Sequence, residues 1–286
     1  MNTPLMVGYL QSWSKDITFS DAAASGYDCI VMAFGAINGV NVDISDGYFS
    51  PSPTPYDLKE DIKDAKQKGA KQILFSVGGE RNTYNPNNAN TRELANNLIS
   101  FFNEYGFTGI DFDLEIDGDS DYLDELCAAL KHVDPNIYIT AAPQLNQADH
   151  GSNLFLVSTG NAKMYDKAIA NNHFDYLFIQ AYNNPWPLLD GSGETDVDFI
   201  SKSFNNLKKT IPTNTLITIG EPANKEAAGT SIFTVPNPPE DIYQAIAKQY
   251  NSIASDSQFG GAMVWSINHD KNDDYQFVRA VKQSFS

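Results

Sequence analysis

Eight times along this chain a short apolar run gives way to a segment with helical periodicity. The runs are Leu5–Leu10, Cys29–Phe34, Gln72–Val77, Gly109–Glu115, Ile137–Ala142, Tyr176–Tyr182, Leu216–Ile219 and Gly261–Ile267. Most are rich in β-branched and aromatic residues, the pattern of strands covered on both faces. The helical segments fall at Ser20–Ser25, Tyr56–Lys68, Thr91–Glu104, Asp119–His132, Asn161–Asn171, Asp196–Lys209, Pro239–Ser252 and Asn272–Ser284. Asn90 and Asp119 are placed to cap helix starts, because their short side chains can accept from the free amides of a first turn. Gly69 and Gly106 suit helix ends, where the backbone often turns left-handed. Strict alternation predicts a parallel sheet with right-handed crossovers, and eight units predict closure into a TIM (β/α)8 barrel of the α/β class. An open doubly wound sheet is the alternative. It would usually carry a glycine-rich dinucleotide loop after the first strand, and Gln11–Ser14 is not one.

The connections are asymmetric. Those leading from helix to strand are short: 69–71, 105–108, 133–136 and 210–215. Those leading from strand to helix are long: 35–55, 78–90, 143–160, 183–195 and 220–238. The elaboration therefore sits at the carboxyl ends of the strands, where barrel enzymes place their chemistry. The proline-rich stretches 50–56 and 234–240 lie between a strand and its helix, so they read as stiff loops rather than linkers. Residues 1–286 are expected to form one barrel domain.

Composition excludes some partners. Thirty-six acidic residues against 19 basic ones give a net charge of −17, which repels nucleic acid and anionic lipid. No apolar run reaches the roughly 18 residues needed to span a bilayer. Met1–Leu5 leads straight into the first strand, so secretion is expected only through a signal that does not appear in this sequence, with a cytoplasmic location as the alternative. Two cysteines, Cys29 and Cys127, fall on separate elements and are expected to be free buried thiols. The four histidines have no metal-ligand spacing.

The most informative segment is Gly109-Ile110-Asp111-Phe112-Asp113-Leu114-Glu115. Strand side chains alternate faces, so Asp111, Asp113 and Glu115 share one face and Ile110, Phe112 and Leu114 the other. The apolar set can pack beneath helices while the carboxylates point into the barrel. Three buried acids at such spacing cannot all remain ionised, and a carboxyl that keeps its proton can serve as a general acid. An edge strand with solvent-facing acids is the bland reading, and the apolar alternate residues oppose it. A metal site is a second alternative, but strand geometry spreads the three over about 13 Å.

This segment resembles the D-G-x-D-x-D-x-E signature of glycoside hydrolase family 18, with Thr108 and Gly109 at its first two positions. Ser76-Val77-Gly78-Gly79 is similar to the family's S-x-G-G motif. Ala141-Ala142-Pro143-Gln144 and Gln180-Ala181-Tyr182-Asn183-Asn184-Pro185 resemble motifs of plant-type (class III) and related bacterial chitinases. Val264-Trp265-Ser266 and Gly8-Tyr9 followed by Trp13 match in the last and first strands. The matches fall in chain order on six of the eight strands.

The resemblance implies a retaining chitinase, acting by substrate assistance on β-1,4-linked N-acetylglucosamine in chitin or its oligosaccharides. Glu115 would be the acid and then the base. Asp113 would orient the substrate's acetamide, and Asp111 would share a proton with Asp113. Tyr182 would donate to the acetamide oxygen. Trp265 would form the floor under the reacting sugar, with Tyr9, Phe34, Gly78, Gly79, Gln144, Gln180 and Asn183 lining the site. For Tyr182, Gln180, Tyr9 and Trp265 the bland alternative is core packing. Trp13, Tyr84 and Trp186 lie on loops of the same face, where outer sugars or loop packing could engage them. The resemblance implies no cofactor and no metal, and a monomer is expected. It also implies cis peptides at Ala33–Phe34 and Trp265–Ser266. The segment 220–238 is too short for the additional α+β domain found in some members, which implies an open cleft and endo-type cutting. Glu221 stands where relatives typically have an apolar residue, and no role for it follows. Two other functions remain open: a catalytically silent barrel that binds chitin or inhibits another enzyme, and an endo-β-N-acetylglucosaminidase acting on N-glycans.

Overall fold

The computed structural model describes residues 3–14, 16–44, 57–116, 118–146, 155–157, 163–183 and 192–285. The eight apolar runs form strands β1 (Leu5–Gln11), β2 (Cys29–Ala33), β3 (Gln72–Gly78), β4 (Gly109–Asp113), β5 (Tyr138–Ala141), β6 (Tyr176–Gln180), β7 (Leu216–Pro222) and β8 (Phe259–Trp265). Each pairs in parallel with its sequence neighbour, and β8 pairs with β1 through Leu5↔Gly261 to Gly8↔Val264, so the barrel closes. Closure leaves none of the eight strands with a free edge.

Period-two alternation divides the side chains into two cores. Leu5, Val7, Tyr9, Cys29, Val31, Ala33, Leu74, Tyr176, Phe178, Leu216 and Met263 cluster along the axis. The residues of opposite parity, such as Met6, Ile30, Ile73, Ile110, Phe112, Leu177 and Ile217, pack outward against the helices. Both cysteines are free and buried, Cys29 in the first core and Cys127 in the second.

The helices are α1 (Phe19–Ser25), α2 (Leu58–Gln67), α3 (Thr91–Tyr105), α4 (Ser120–Val133), α5 (Asp166–Ala170), α6 (Phe199–Leu207), α7 (Ile242–Ile253), α8 (Ile267–Asn272) and α9 (Gln276–Gln283). Asn90 caps α3 by accepting from the amides of Arg92 and Glu93, and Asp119 caps α4 by accepting from Asp121 and Tyr122. Gly106 ends α3 in the left-handed conformation, and Gly69 follows α2 with φ +106°.

Several boundaries differ from the sequence expectation. Strand β4 stops at Asp113 rather than Glu115, because a tyrosine hydroxyl replaces the neighbouring strand there, as described below. Strand β7 continues through Glu221 and Pro222, paired with Val264 and Trp265 of β8. Strand β8 ends at Trp265, and Ile267 opens α8 instead of closing a strand. The final helix begins at Gln276 rather than Asn272, since Asp274 and Tyr275 both adopt positive φ between α8 and α9.

The long connection after β2 is not plain loop. Gly35–Asn38 and Asn41–Ile44 form a hairpin turning at Gly39 (φ +60°), and Tyr84–Asn85 adds a third short strand. After β5, Gln144–Asn146 pairs antiparallel with Phe155–Val157, and Gln144 also pairs with Gln180.

Candidate active site

At the carboxyl end of the barrel, the alternation in β4 turns Asp111 and Asp113 toward the axis while Ile110, Phe112 and Leu114 pack beneath the helices. Asp111 is fully buried. Its carboxylate accepts three hydroxyl bonds: from Tyr9 of β1 (2.9 Å), Ser76 of β3 (2.7 Å) and Thr140 of β5 (2.6 Å). Burial raises its pKa, while the hydroxyls of Thr140, Ser76 and Tyr9 pull against that rise.

Asp113 is also buried, and one of its oxygens accepts from the Gln180 amide at 2.8 Å. The same amide nitrogen donates to the Ala142 carbonyl at 2.9 Å, which fixes its orientation. Burial, followed by the charges of Glu115 and Asp111, holds the Asp113 carboxyl well above the usual carboxylate range. No hydrogen bond joins Asp111 to Asp113 among the described residues. Glu115 lies two residues past the strand end and is half-buried. Its pKa is raised by burial first and then by the charge of Glu80. The three acids thus form a gradient from buried to half-exposed, and burial pushes all three pKa values up, furthest where the neighbouring carboxylates add to it at Asp113.

The end of β4 is held by Tyr165, which sequence reasoning missed. Its hydroxyl accepts from the Leu114 amide at 2.7 Å and faces the carbonyls of Phe112 and Leu114, each at 3.2 Å. Alongside, the Gly79 amide donates to the Asp113 carbonyl at 2.7 Å. Gly78 pairs with Asp113, has φ +119°, and any Cβ there would overlap the Asp113 carbonyl oxygen. Gly79 in turn faces the ring of Phe34. These glycines let the β3 and β4 backbones meet directly beside the carboxylates.

An aromatic group forms the opposite side. Phe34 and Trp265 stack with ring centroids 6.4 Å apart, Trp13 stacks on Phe34 at 6.4 Å, and Tyr9 meets Trp265 at 6.0 Å. Trp265 and Phe34 are half-buried and Trp13 is 52% exposed, so the cluster presents ring surface to the cleft. The peptides Ala33–Phe34 and Trp265–Ser266 are both cis, as the family resemblance implied.

Tyr182, just beyond β6, is buried, and its hydroxyl pKa is raised by burial and then by the charges of Asp113 and Glu115. Gln144 is half-buried next to Gln180. Asn183 behaves differently from its neighbours: it is exposed, with φ +55°, and its side-chain oxygen accepts from the amides of Gly229 (2.8 Å) and Thr230 (3.2 Å). It fastens the loop after β6 to the loop after β7. Tyr84 is buried against Phe112, at a centroid distance of 5.8 Å, so it packs rather than facing the cleft. Trp186 lies outside the described residues.

Thr140 and Tyr165 complete the set of missed residues. Thr140 was legible, since it is a polar residue at an axis-facing position of a short apolar strand. Nothing local in Asn161-Ala162-Lys163-Met164-Tyr165 marks Tyr165.

A closed barrel with its polar groups gathered at the strands' carboxyl ends defines a (β/α)8-barrel enzyme. The sequence profile of the glycosyl hydrolases family 18 matches residues 5–234. The chain belongs to that family and is a glycoside hydrolase. It is 29% identical over 294 residues to acidic endochitinase SE2 of Beta vulgaris, covering 93% of this chain and 86% of that protein. It is also 29% identical over 280 residues to endochitinase 2 of Coccidioides posadasii, where it spans only 29% of the relative's length. In fold, it is similar to a family 18 chitinase from Chromobacterium violaceum, with a TM-score of 0.76 at 23% identity, covering 99% of this chain and 84% of that one.

Proposed function

We propose that the chain is a chitinase that cleaves β-1,4-linked N-acetylglucosamine with retention of configuration, using the substrate's own acetamide as nucleophile. The observation that carries this reading is the placement of Asp113. Its carboxyl is buried between Glu115 and Asp111, oriented by Gln180, and biased toward holding a proton or meeting a positive charge.

In this mechanism Glu115 gives its proton to the glycosidic oxygen as that bond breaks. The acetamide oxygen of the retained sugar closes on its own anomeric carbon, an intramolecular attack favoured by held geometry. Asp113 accepts from the acetamide N–H and balances the positive charge of the oxazolinium ion. Reaching that N–H is compatible with its bond to Gln180, which uses one carboxyl oxygen and leaves the other available. Asp111, held by three hydroxyl donors, shares a proton with Asp113 and takes it up as Asp113 turns to the acetamide, which leaves Asp113 anionic opposite the positive ion. Tyr182 donates to the acetamide oxygen. Water then opens the ring, giving a proton to the Glu115 carboxylate and restoring the starting state. The half-buried face of Trp265 suits the C–H face of the sugar. The absence of any large insertion between Gly220 and Pro238 supports an open cleft and cutting within the polymer.

The test is hydrolysis of chitin tetra- to hexasaccharides by the native chain and Glu115→Gln, with product anomers followed by NMR. An initial β-anomer, internal cleavage products and a loss of about 10²–10⁴-fold in the variant are expected. Binding without cleavage would favour the silent barrel. Cleavage of a high-mannose glycopeptide in place of chitin oligosaccharides would favour the endo-β-N-acetylglucosaminidase.

A further inference from the structure

Strands β3 and β4 are paired through Gly78↔Asp113. Glu80 and Glu115 each stand two residues beyond that pair, on adjacent strand ends. Gly79 keeps the two backbones joined past it by donating to the Asp113 carbonyl at 2.7 Å. The segment carrying Glu80 therefore flanks the end of β4 that carries Glu115, which sets the two carboxylates near each other at the cleft. Their electrostatic contact is reflected in Glu80 being the charged neighbour that raises Glu115. Their surroundings differ: Glu115 is half-buried, whereas Glu80 is exposed. No hydrogen bond or ion pair engages the Glu80 side chain among the described residues, even though Arg81 follows it in the chain.

A free carboxylate beside the proton donor is costly to the reaction unless something answers it. Like charge next to Glu115 opposes the anion that forms when Glu115 gives up its proton. On neutral sugars nothing offsets this. A protonated amine on the sugar would, since it neutralises Glu80 as Glu115 becomes charged. The reacting sugar cannot supply that amine, because its acetamide is the nucleophile in the reading above. The sugar across the cleaved bond can.

We propose that Glu80 is a specificity-determining residue that reads a protonated amine on the leaving sugar, so that the preferred substrate is partly N-deacetylated chitin cut between an N-acetylglucosamine and a glucosamine. This rests on the chitinase reading and narrows its substrate. The net charge of −17 acts in the same direction by concentrating a cationic polymer at the surface. An exposed charge pair of this kind corresponds to a preference of roughly two- to fivefold in kcat/KM, and salt weakens it.

The experiment uses defined chitin oligosaccharides carrying both bond types, with products sequenced by mass spectrometry at low and high salt. A fully acetylated hexasaccharide is run in parallel. The native chain is expected to cut before glucosamine two- to fivefold more often than before N-acetylglucosamine. Glu80→Gln is expected to bring that ratio to about one, while Glu80→Asp keeps part of it. High salt should lower the ratio in the native chain and leave it unchanged in Glu80→Gln. Cleavage of the acetylated hexasaccharide with no bond preference, or a preference that survives in Glu80→Gln, overturns the proposal alone. Cleavage of neither substrate overturns the chitinase reading and this proposal with it.

Discussion

Replacing Tyr165 with phenylalanine removes a single oxygen and tests whether the end of β4 is held in the way described. The hydroxyl is the acceptor for the Leu114 amide at 2.7 Å, and both residues are buried, so no water can take its place without opening the packing. An unsatisfied buried donor costs about 1–3 kcal/mol, and the weaker bonds to the Phe112 and Leu114 carbonyls, which have further lone pairs or strand partners, add less. The expected loss is about 2 kcal/mol. At about 2.1 cal/mol/K per residue, a chain of 286 residues has an unfolding entropy near 0.6 kcal/mol/K, so the thermal midpoint should fall by roughly 3 °C. Catalysis should suffer more than stability. Leu114 sits between Asp113 and Glu115, and a shift of about 1 Å in such groups costs on the order of 10²-fold in rate. Calorimetry gives the midpoint, and steady-state kinetics on a chitin oligosaccharide well below the melting range give the rate. A variant with native midpoint and native kcat would refute the claim that this hydroxyl positions the strand end.

Further substitutions probe the same architecture. Gly78→Ala places a methyl against the Asp113 carbonyl at φ +119°; a destabilisation of about 3 kcal/mol or more is expected, and a denaturation midpoint within error of the native one would count against the close approach. Ser76→Ala strips one of three hydroxyl donors from the buried Asp111 and should cost about 1–2 kcal/mol in urea unfolding, with Thr140→Val behaving alike. Glu221 is buried with one oxygen unpartnered, and burial followed by the charge of Glu194 holds it well above the usual carboxylate range. Its folded pKa thus exceeds its unfolded one, so its contribution is fully present below about pH 4.3 and is lost as pH rises through the folded value. Glu221→Gln should flatten that decline, and parallel pH–stability curves for the two proteins would contradict it. Glu115 must carry a proton to act as acid, and its raised pKa means that kcat/KM should fall on the alkaline side only above the ordinary carboxylate range. An alkaline limb near about pH 4.3 would show that another group sets it.

The barrel was legible because its signal is repeated eight times, and closure makes each strand's pattern constrain its neighbours. The carboxylates of β4 were legible from parity alone: acids at alternate positions between Ile110, Phe112 and Leu114 have one face available to them. What the parity rule could not give was where the strand stops. It carried the pattern to Glu115, but the ladder ends at Asp113 because the bonds beyond come from a side chain far along the sequence. The hairpin after β2 was readable and went unread, since Asn38-Gly39 between short alternating runs is a turn signal. The break between α8 and α9 had only a faint mark, for Asp274 is of a type that visits the left-handed region more often than most while Tyr275 is not. Asn183 shows the limit of a motif. Its position in the sixth-strand pattern suggested contact with substrate and gave no sign that its oxygen also accepts from two backbone amides.

That commitment bears on how the cleft can be remodelled. The loop after β6 and the loop after β7 are latched at Asn183, by its side-chain oxygen and by its backbone amide, which donates to the Thr230 carbonyl at 3.0 Å. An exchange of either loop with a foreign sequence removes the side-chain part of the latch unless an asparagine and the amides that donate to it travel together. Residues 183 and 229–230 therefore belong to one cassette, although 45 residues separate Asn183 from Gly229 in the chain. Libraries that diversify this rim should treat the two loops as a single unit.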